Sequence, residues 1–189
     1  MGRGSAIGRG EVGFDTMTEQ AGIWRQTADK WTDIANQLTD DDWLKPTTCD
    51  DFTVRELVDH AMRWQAMGGG LIGAGTSPGE AWDDVRPAVS AALDDPSNLE
   101  GDVEAFGGMS KQQILGLLVT DLLVHSWDLA RSIGADETLP PEAVEAALMG
   151  LQRMPEQMLR GDAMFAPAVE VADDASPQDR LIAFAGRQP

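Results

Sequence analysis

Helical periodicity constrains the fold of this 189-residue chain more than any other feature of its sequence. Apolar side chains recur at spacings of three and four residues from Met17 to Leu38, which is the period of an amphipathic α-helix. The same period returns in later segments, and no strand pattern of any length interrupts it. The sequence therefore predicts an all-α chain. Its single cysteine, Cys49, excludes an internal disulfide framework.

Capping residues mark the ends of the predicted helices. Thr53 and Glu56 have the spacing of a capping box and open a second helix, which glycines end by about Gly73. Ser110 is the predicted N-cap of a third long helix, and Gly134 is expected to stop that helix. These signals are local, so they define where helices begin and end without defining how they pack.

The remaining segments complete the predicted layout. Residues 80–95 carry a shorter, more polar helical pattern, and the glycines in residues 96–109 indicate a crossover. A proline pair at 140–141 begins a fourth helix, which runs to about Arg160 and which Pro155 is expected to kink or divide. Four main helices with one long connection between the second and the third predict a four-helix bundle with a crossover.

The length of the chain suits one domain with a full core. Glycine is frequent in residues 1–16, which we expect to form a disordered leader, and residues 17–189 are expected to form a single helical domain with an irregular tail. In that tail, residues 168–171 are expected to be extended, and a last short helix is predicted over residues 176–186.

Charge and hydropathy limit the classes of partner. The net charge of −18 repels nucleic acid and anionic membranes over most of the surface. No apolar run approaches the length needed to cross a bilayer, and the N-terminus lacks the apolar stretch of a secretory signal. We therefore expect a cytoplasmic protein that binds neither nucleic acid nor membranes. Our further expectations, which charge and hydropathy do not decide, are a small-molecule substrate and a monomer or homodimer.

The two histidines of the chain, His60 and His125, both fall in helical segments. Asp121 precedes His125 by four residues, so the two side chains share one helix face and can bind one metal ion. His60 from another helix would complete a His/Asp/His set that leaves positions open for water or substrate. The same spacing also fits a buried histidine that is hydrogen-bonded to a carboxylate without any metal, and spacing alone leaves both interpretations open.

Three further residues accompany this set. Asp128 lies on the same helix face and is predicted either to accept a hydrogen bond from a ligand imidazole or to pair with an arginine such as Arg131. Trp64, one turn after the first histidine, either lines a substrate pocket or packs in the core. Glu56 is a possible fourth ligand, although the capping box explains it better.

Two segments of the chain carry a family resemblance. Residues 51–60, DFTVRELVDH, and residues 121–131, DLLVHSWDLAR, resemble the two signature stretches of the actinobacterial DinB-like metal-binding proteins. Those proteins are similar to the N-terminal domain of mycothiol-dependent maleylpyruvate isomerase. Residues 179–187 also resemble the C-terminus of the short, single-domain members of that group.

The resemblance implies a DinB-type four-helix bundle that holds a divalent metal, commonly zinc. The first histidine of the family maps onto His60, and its acid-x-x-x-His pair maps onto Asp121 and His125. Two departures stand out. The isomerase has glutamate where this chain has Asp121, and it has a separate α/β domain where only about thirty residues follow the fourth helix here.

The function implied by the resemblance is thiol chemistry at a metal. The resemblance implies zinc, whereas the ligand types by themselves suit Zn²⁺, Fe²⁺ or Ni²⁺. The metal would lower the pKa of a thiol cofactor such as mycothiol. The thiolate would then attack a small electrophile, as in a mycothiol-dependent transferase or isomerase. Two alternatives stay open: hydrolysis by metal-activated water and metal binding without catalysis.

Overall fold

The computed structural model of the chain describes residues 17–49, 52–154, 159–160 and 165–189. Helices dominate these residues, which confirms the predicted all-α class. The predicted disordered leader lies outside the described residues, and the division of the chain into a leader and one domain stays a prediction.

The described residues contain six α-helices and one very small sheet. The helices are α1 Met17–Ala35, α2 Val54–Leu71, α3 Trp82–Ala92, α4 Lys111–Ile133, α5 Pro141–Gln152 and α6 Pro177–Phe184. Between α3 and α4, strand β1, Asp102–Val103, pairs antiparallel with β2, Met109–Ser110. No strand pattern was expected from the sequence, and two residues per strand are too few to show the alternation by which a strand is recognised.

The predicted caps of the two helices that carry the histidines are confirmed. The Thr53 side chain accepts a hydrogen bond from the Glu56 backbone N–H, and the Glu56 carboxylate accepts one from the Thr53 N–H at 2.9 Å. Ser110 caps α4 in the same reciprocal way with Gln113. Gly134 ends α4 with a φ of 73°, a left-handed conformation that glycine adopts without steric cost.

Other predicted boundaries need correction. α1 ends at Ala35, three residues before the predicted Leu38. α5 ends at Gln152, and helix is assigned again at residues 159–160, so the predicted fourth helix is not continuous up to Met154. Pro155, where a kink or division was predicted, lies outside the described residues, but a proline disfavours helical conformation in the residue before it, in agreement with this end. Residues 168–171 form no assigned strand, and the tail does contain the predicted short helix, α6.

α4 is the central helix, and it packs against α1, α2 and α5. The contact between α2 and α4 is especially close at Gly68, where an added Cβ would lie 2.4 Å from Leu118 Cδ2. The buried Gln65 side chain ties the same helices together: its amide nitrogen donates to the Leu118 carbonyl at 2.8 Å, and its oxygen accepts from Trp24 Nε1 of α1 at 3.1 Å. These contacts fix the register of α2 on α4, and therefore the height of His60 above α4.

None of the helices formed by the described residues has the combination of length and apolar character needed to cross a bilayer.

Candidate metal centre

Successive turns of α4 place a carboxylate, an imidazole and a second carboxylate in one row. His125 lies between Asp121 and Asp128 because residues three and four apart share a helix face. Its Nε2 is 3.3 Å from Asp121 Oδ1, and its Nδ1 is 3.0 Å from Asp128 Oδ2. The two ring nitrogens therefore face different carboxylates, and the ring has a defined orientation.

α2 brings His60 to the same point. Its Nε2 lies 3.8 Å from Asp121 Oδ1, and its ring meets the His125 ring edge-on, with 5.1 Å between centroids and 85° between planes. Phe52 also packs against His60, at 5.7 Å between centroids. His60 is 46% exposed whereas His125 is 7% exposed, so the group is open to solvent on the α2 side and closed on the α4 side.

The donor geometry suits a divalent cation. One donor atom from each of His60, Asp121 and His125 lies within 4.8 Å of the other two. Ligands about 2.1 Å from a tetrahedral metal stand roughly 3.4 Å apart, close to the 3.3 and 3.8 Å found here. Asp121 Oδ2 is buried and has no hydrogen-bond partner among the described residues. A buried carboxylate oxygen without a partner is costly, and a bound cation would satisfy it.

Electrostatic attraction outweighs burial at this centre. Burial disfavours the charged forms of both Asp121 and His125. Even so, the neighbouring His125 imidazole holds the pKa of the Asp121 carboxyl below its usual value, with a further contribution from His60. In the same way, the Asp121 carboxylate raises the pKa of His125 well above its usual value. The attraction between the two side chains therefore favours the charged form of each, a carboxylate and an imidazolium.

Asp128 is fully enclosed by hydrogen-bond donors from three parts of the chain. Thr48 Oγ1 donates to its Oδ1 at 2.6 Å, and the guanidinium of Arg187 donates to both carboxylate oxygens, at 3.2 Å to Oδ1 and 3.0 Å to Oδ2. With the His125 ring also bonded to it, the pKa of the Asp128 carboxyl lies below its usual value although burial opposes this.

These contacts resolve the two roles that the sequence left open for Asp128. It pairs with the His125 imidazole, as one alternative stated, and its arginine partner is Arg187 instead of Arg131. Arg131 pairs with Glu137 and stacks on the Trp127 ring. Sequence analysis missed the contribution of Thr48 and Arg187, which are 80 and 59 residues from Asp128. The only signal for Arg187 was its position in the C-terminal stretch of the family resemblance.

A second group of potential metal ligands, Cys49, His125 and Asp128, shares one histidine with the first. All three residues are buried. This group suits a cation less well, because Asp128 already neutralises Arg187 and its two oxygens already accept hydrogen bonds. A metal there would have to break those bonds, whereas Asp121 offers an oxygen without a partner. The first group is therefore the better candidate.

The other residues discussed from the sequence have structural contacts. Glu56 is engaged in the capping box of α2, as predicted. Trp64 is half-buried, packs against the core, and meets Phe106 with 6.0 Å between ring centroids. Core packing is thus one role that Trp64 has, and substrate binding by it stays a prediction.

A cavity of about 340 Å³ lies elsewhere, between α1, α4 and α5. Its walls include Ile23, Leu117 and Ala147, and none of His60, Asp121 and His125 lines it. The apolar cavity is therefore separate from the candidate metal centre, which is defined by the positions of its donor groups alone.

Comparison with known proteins agrees with the resemblance seen in the sequence. Residues 24–103 match the family described as mycothiol maleylpyruvate isomerase N-terminal domain. This is the family that the sequence motifs predicted. The matched range contains His60, whereas Asp121 and His125 lie beyond it.

Relatives extend the similarity along more of the chain. Two uncharacterized proteins of Mycobacterium tuberculosis, Rv0738 of strain H37Rv and MT0763 of strain CDC 1551 / Oshkosh, are each 29% identical to it over 154 residues. Each alignment covers 75% of this chain and 83% of the relative. No solved structure matches the chain significantly.

Proposed function

We propose that this protein is a zinc-dependent enzyme of the mycothiol-using type, with His60, Asp121 and His125 as the metal ligands. The observation that carries the proposal is the meeting of these three donor groups from α2 and α4, in which both histidine Nε2 atoms face Asp121 Oδ1. The other oxygen of that carboxylate, Oδ2, is buried and has no hydrogen-bond partner among the described residues. The proposed architecture is a DinB-type bundle, which the packing of α1, α2 and α5 around α4 supports.

The residues present fit such a metal. Two imidazoles and one carboxylate are ligands that Zn²⁺ accepts, and three protein ligands are typical of zinc sites that keep a position for substrate. Within the described part of the chain, Cys49 groups with His125 and Asp128 and not with His60 and Asp121, so the set has three members. When bound, zinc would lower the pKa of a thiol at the remaining position, so that thiolate is present at neutral pH.

Each side chain has a separate task in this proposal. Asp121 supplies the negative charge, Asp128 holds the Nδ1 side of the His125 ring, and His60 completes the set on its solvent side. His60, on α2, is the most exposed of the three ligands. Cofactor and substrate would therefore approach the metal from the solvent on the side where His60 lies. Phe52, which packs on His60, would form an apolar wall of that entrance.

The reaction follows from the family match. The thiolate sulfur would form a bond to an electrophilic carbon of a small molecule. In a transfer reaction that carbon loses its bond to a leaving halide or to the epoxide oxygen, which takes the electron pair, and the thioether adduct leaves. In an isomerisation the carbon–carbon π bond opens and its electron pair moves onto the conjugated carbonyl oxygen. After rotation about the resulting single bond, that pair re-forms the double bond and the carbon–sulfur bond breaks to release the thiolate. Because thiol cofactors stay reduced in the cytoplasm, the proposal locates the protein there, as a monomer or homodimer that acts on small molecules.

Metal analysis of protein purified without a histidine tag tests the site directly. We expect about one zinc per chain. With mycothiol as the thiol, a panel containing maleylpyruvate, an epoxide and an alkylating halide should reveal transfer or isomerisation. The matched control is His125→Ala, which should lose both metal and activity. Wild-type protein without bound zinc would overturn the proposal.

Two other outcomes would redirect the functional class. A zinc-loaded protein that hydrolyses esters or amides without mycothiol would be a metal-activated-water hydrolase. A zinc-loaded protein that loses its helical circular dichroism in chelator would have a structural metal instead of a catalytic one. We expect the helices to survive chelation, because α4 buries its apolar side chains against α1, α2 and α5 without any metal.

A further inference from the structure

Arg187, two residues from the last residue of the chain, is buried next to the candidate metal centre. Only 8% of it is exposed, and its partner Asp128 is not exposed at all. A buried arginine is expensive unless it is paired and hydrogen-bonded. Here Nε and Nη2 each donate to one oxygen of Asp128, and Nη1 donates to the Ala185 carbonyl at 2.7 Å.

The polypeptide around Arg187 is held in place by further bonds. Its backbone N–H donates to the Ile182 carbonyl at 3.0 Å, and Arg131 Nη1 donates to the Gln188 carbonyl at 2.7 Å. Gly186, with a φ of 85°, makes the turn that directs the chain from α6 toward Asp128. The guanidinium thus reaches Asp128 from a defined backbone position.

The bonds continue from Arg187 through Asp128 to the ligand imidazole. Two nitrogens of Arg187 and one hydroxyl of Thr48 fix both oxygens of Asp128. Asp128 Oδ2 in turn lies 3.0 Å from His125 Nδ1, within hydrogen-bond distance. With Nδ1 engaged there, Nε2 is the nitrogen that faces Asp121. A carboxylate that orients a ligand imidazole in this way needs to be oriented itself.

We propose that Arg187 is a positioning residue of the metal centre, which holds Asp128 so that the His125 ring presents Nε2 to the metal. Thr48 assists from the loop before α2. The C-terminal residues of the chain are then part of the site, although none of them touches the metal. This inference rests on the proposed function, because it assumes that His125 is a ligand.

Cobalt binding provides a test that does not depend on activity. Full-length wild type, Arg187→Gln and Arg187→Lys are titrated with Co²⁺, and the visible absorption spectrum of each complex is recorded. We expect Arg187→Gln to bind Co²⁺ about tenfold more weakly with an altered spectrum, since the spectrum reports the arrangement of the ligands. Arg187→Lys, which keeps the charge but not the fork of donors, should lie between this variant and wild type.

Matched variants separate positioning from general damage to the fold. Arg180→Gln removes an exposed arginine of α6 whose partners are the Ala175 and Asp173 carbonyls, so Co²⁺ affinity should stay at the wild-type value. Thr48→Val removes one donor to Asp128 at an exposed position, so this variant should fold even if Arg187→Gln does not. It should change the cobalt spectrum in the same direction as Arg187→Lys, by a smaller amount.

The outcomes distinguish the two proposals. Wild type that binds no Co²⁺ would overturn the metal site and this inference together. Wild type that binds Co²⁺, with folded Arg187→Lys and Thr48→Val variants of unchanged affinity and spectrum, would overturn the inference alone. A loss of affinity in Arg180→Gln as large as that in Arg187→Gln would also overturn it, because damage to the C-terminal segment would then explain the effect.

Discussion

Asp121 and Asp128 lie on either side of His125 on one helix, but their surroundings are opposite. Asp128 is fully buried, and both its oxygens accept hydrogen bonds from neighbouring side chains. Asp121 is 19% exposed, and its Oδ2 has no hydrogen-bond partner among the described residues. Two carboxylates on one helix face therefore differ in their capacity to bind a cation. Asp128 is already saturated by the protein, whereas Asp121 still has an oxygen available for a cation.

Metal occupancy should show the largest difference between the two carboxylates. His125→Ala removes one of three donors, and Asp121→Asn replaces the only anionic donor by a neutral amide, so we expect almost no zinc in either variant after dialysis. Asp128→Asn leaves the three donors in place and should keep its zinc with an affinity about 10- to 100-fold lower. Elemental analysis of the purified variants measures this. Full occupancy in His125→Ala would show that the ligand set is wrong.

The stability of the metal-free protein should show the opposite ranking: Asp128→Asn, which keeps its zinc, should be destabilised more than Asp121→Asn, which loses it. Asp128→Asn removes the buried carboxylate that accepts two hydrogen bonds from the Arg187 guanidinium, which we expect to lower the free energy of unfolding by about 3–5 kcal/mol. Asp121→Asn leaves a histidine that can lose its proton, so the loss should be about 1 kcal/mol. Urea unfolding in the presence of chelator compares them. Equal losses would remove the distinction between a saturated and an available carboxylate.

Metal affinity should increase with pH. Asp121 raises the pKa of His125 well above its usual 6.5, so the charged imidazole stabilises the metal-free fold below pH 6.5, and this contribution is lost as pH rises through the folded pKa. Zinc must displace that proton. Its apparent affinity should therefore rise about tenfold per pH unit between 6.5 and the folded pKa and then level off.

A competition titration against a chromophoric chelator from pH 6 to 8.5 measures this dependence, with proton release recorded in weak buffer. Asp121→Glu is a useful companion because it keeps the charge beside His125. A zinc affinity that does not change over this range would show that no proton is displaced from His125.

The smallest effect is expected for Asp121→Glu itself. Glutamate keeps the carboxylate and matches the acid of the two-domain isomerase that the sequence resembles. The extra methylene shifts the carboxylate, so we expect zinc to be retained with less than about a tenfold change in affinity. Asp128→Glu is the matched change on the other side of His125, where the enclosed space should tolerate it less. Zinc titration of both variants tests whether only the Asp121 position has room.

Much of the local structure was predictable from the sequence. The reciprocal caps at Thr53 and Ser110 and the glycine at 134 define helix ends through bonds among neighbouring residues. The shared face of Asp121 and His125 follows from the helical period alone. The two-residue strands were not predicted, because a short strand has no visible period. The end of α5 was predicted only as a kink or division at Pro155, and its exact residue, Gln152, was not.

The sequence by itself therefore determined the helices, their caps and the row of ionisable groups on α4. Tertiary structure alone decided which of these groups are satisfied by the protein. Close packing at Gly68 and the bonds of Gln65 set α2 on α4, and so brought His60 to Asp121. The packing of the C-terminal segment next to α4 brought Arg187 to Asp128. Such pairings depend on contacts between residues tens of positions apart, and no local pattern of residues encodes them.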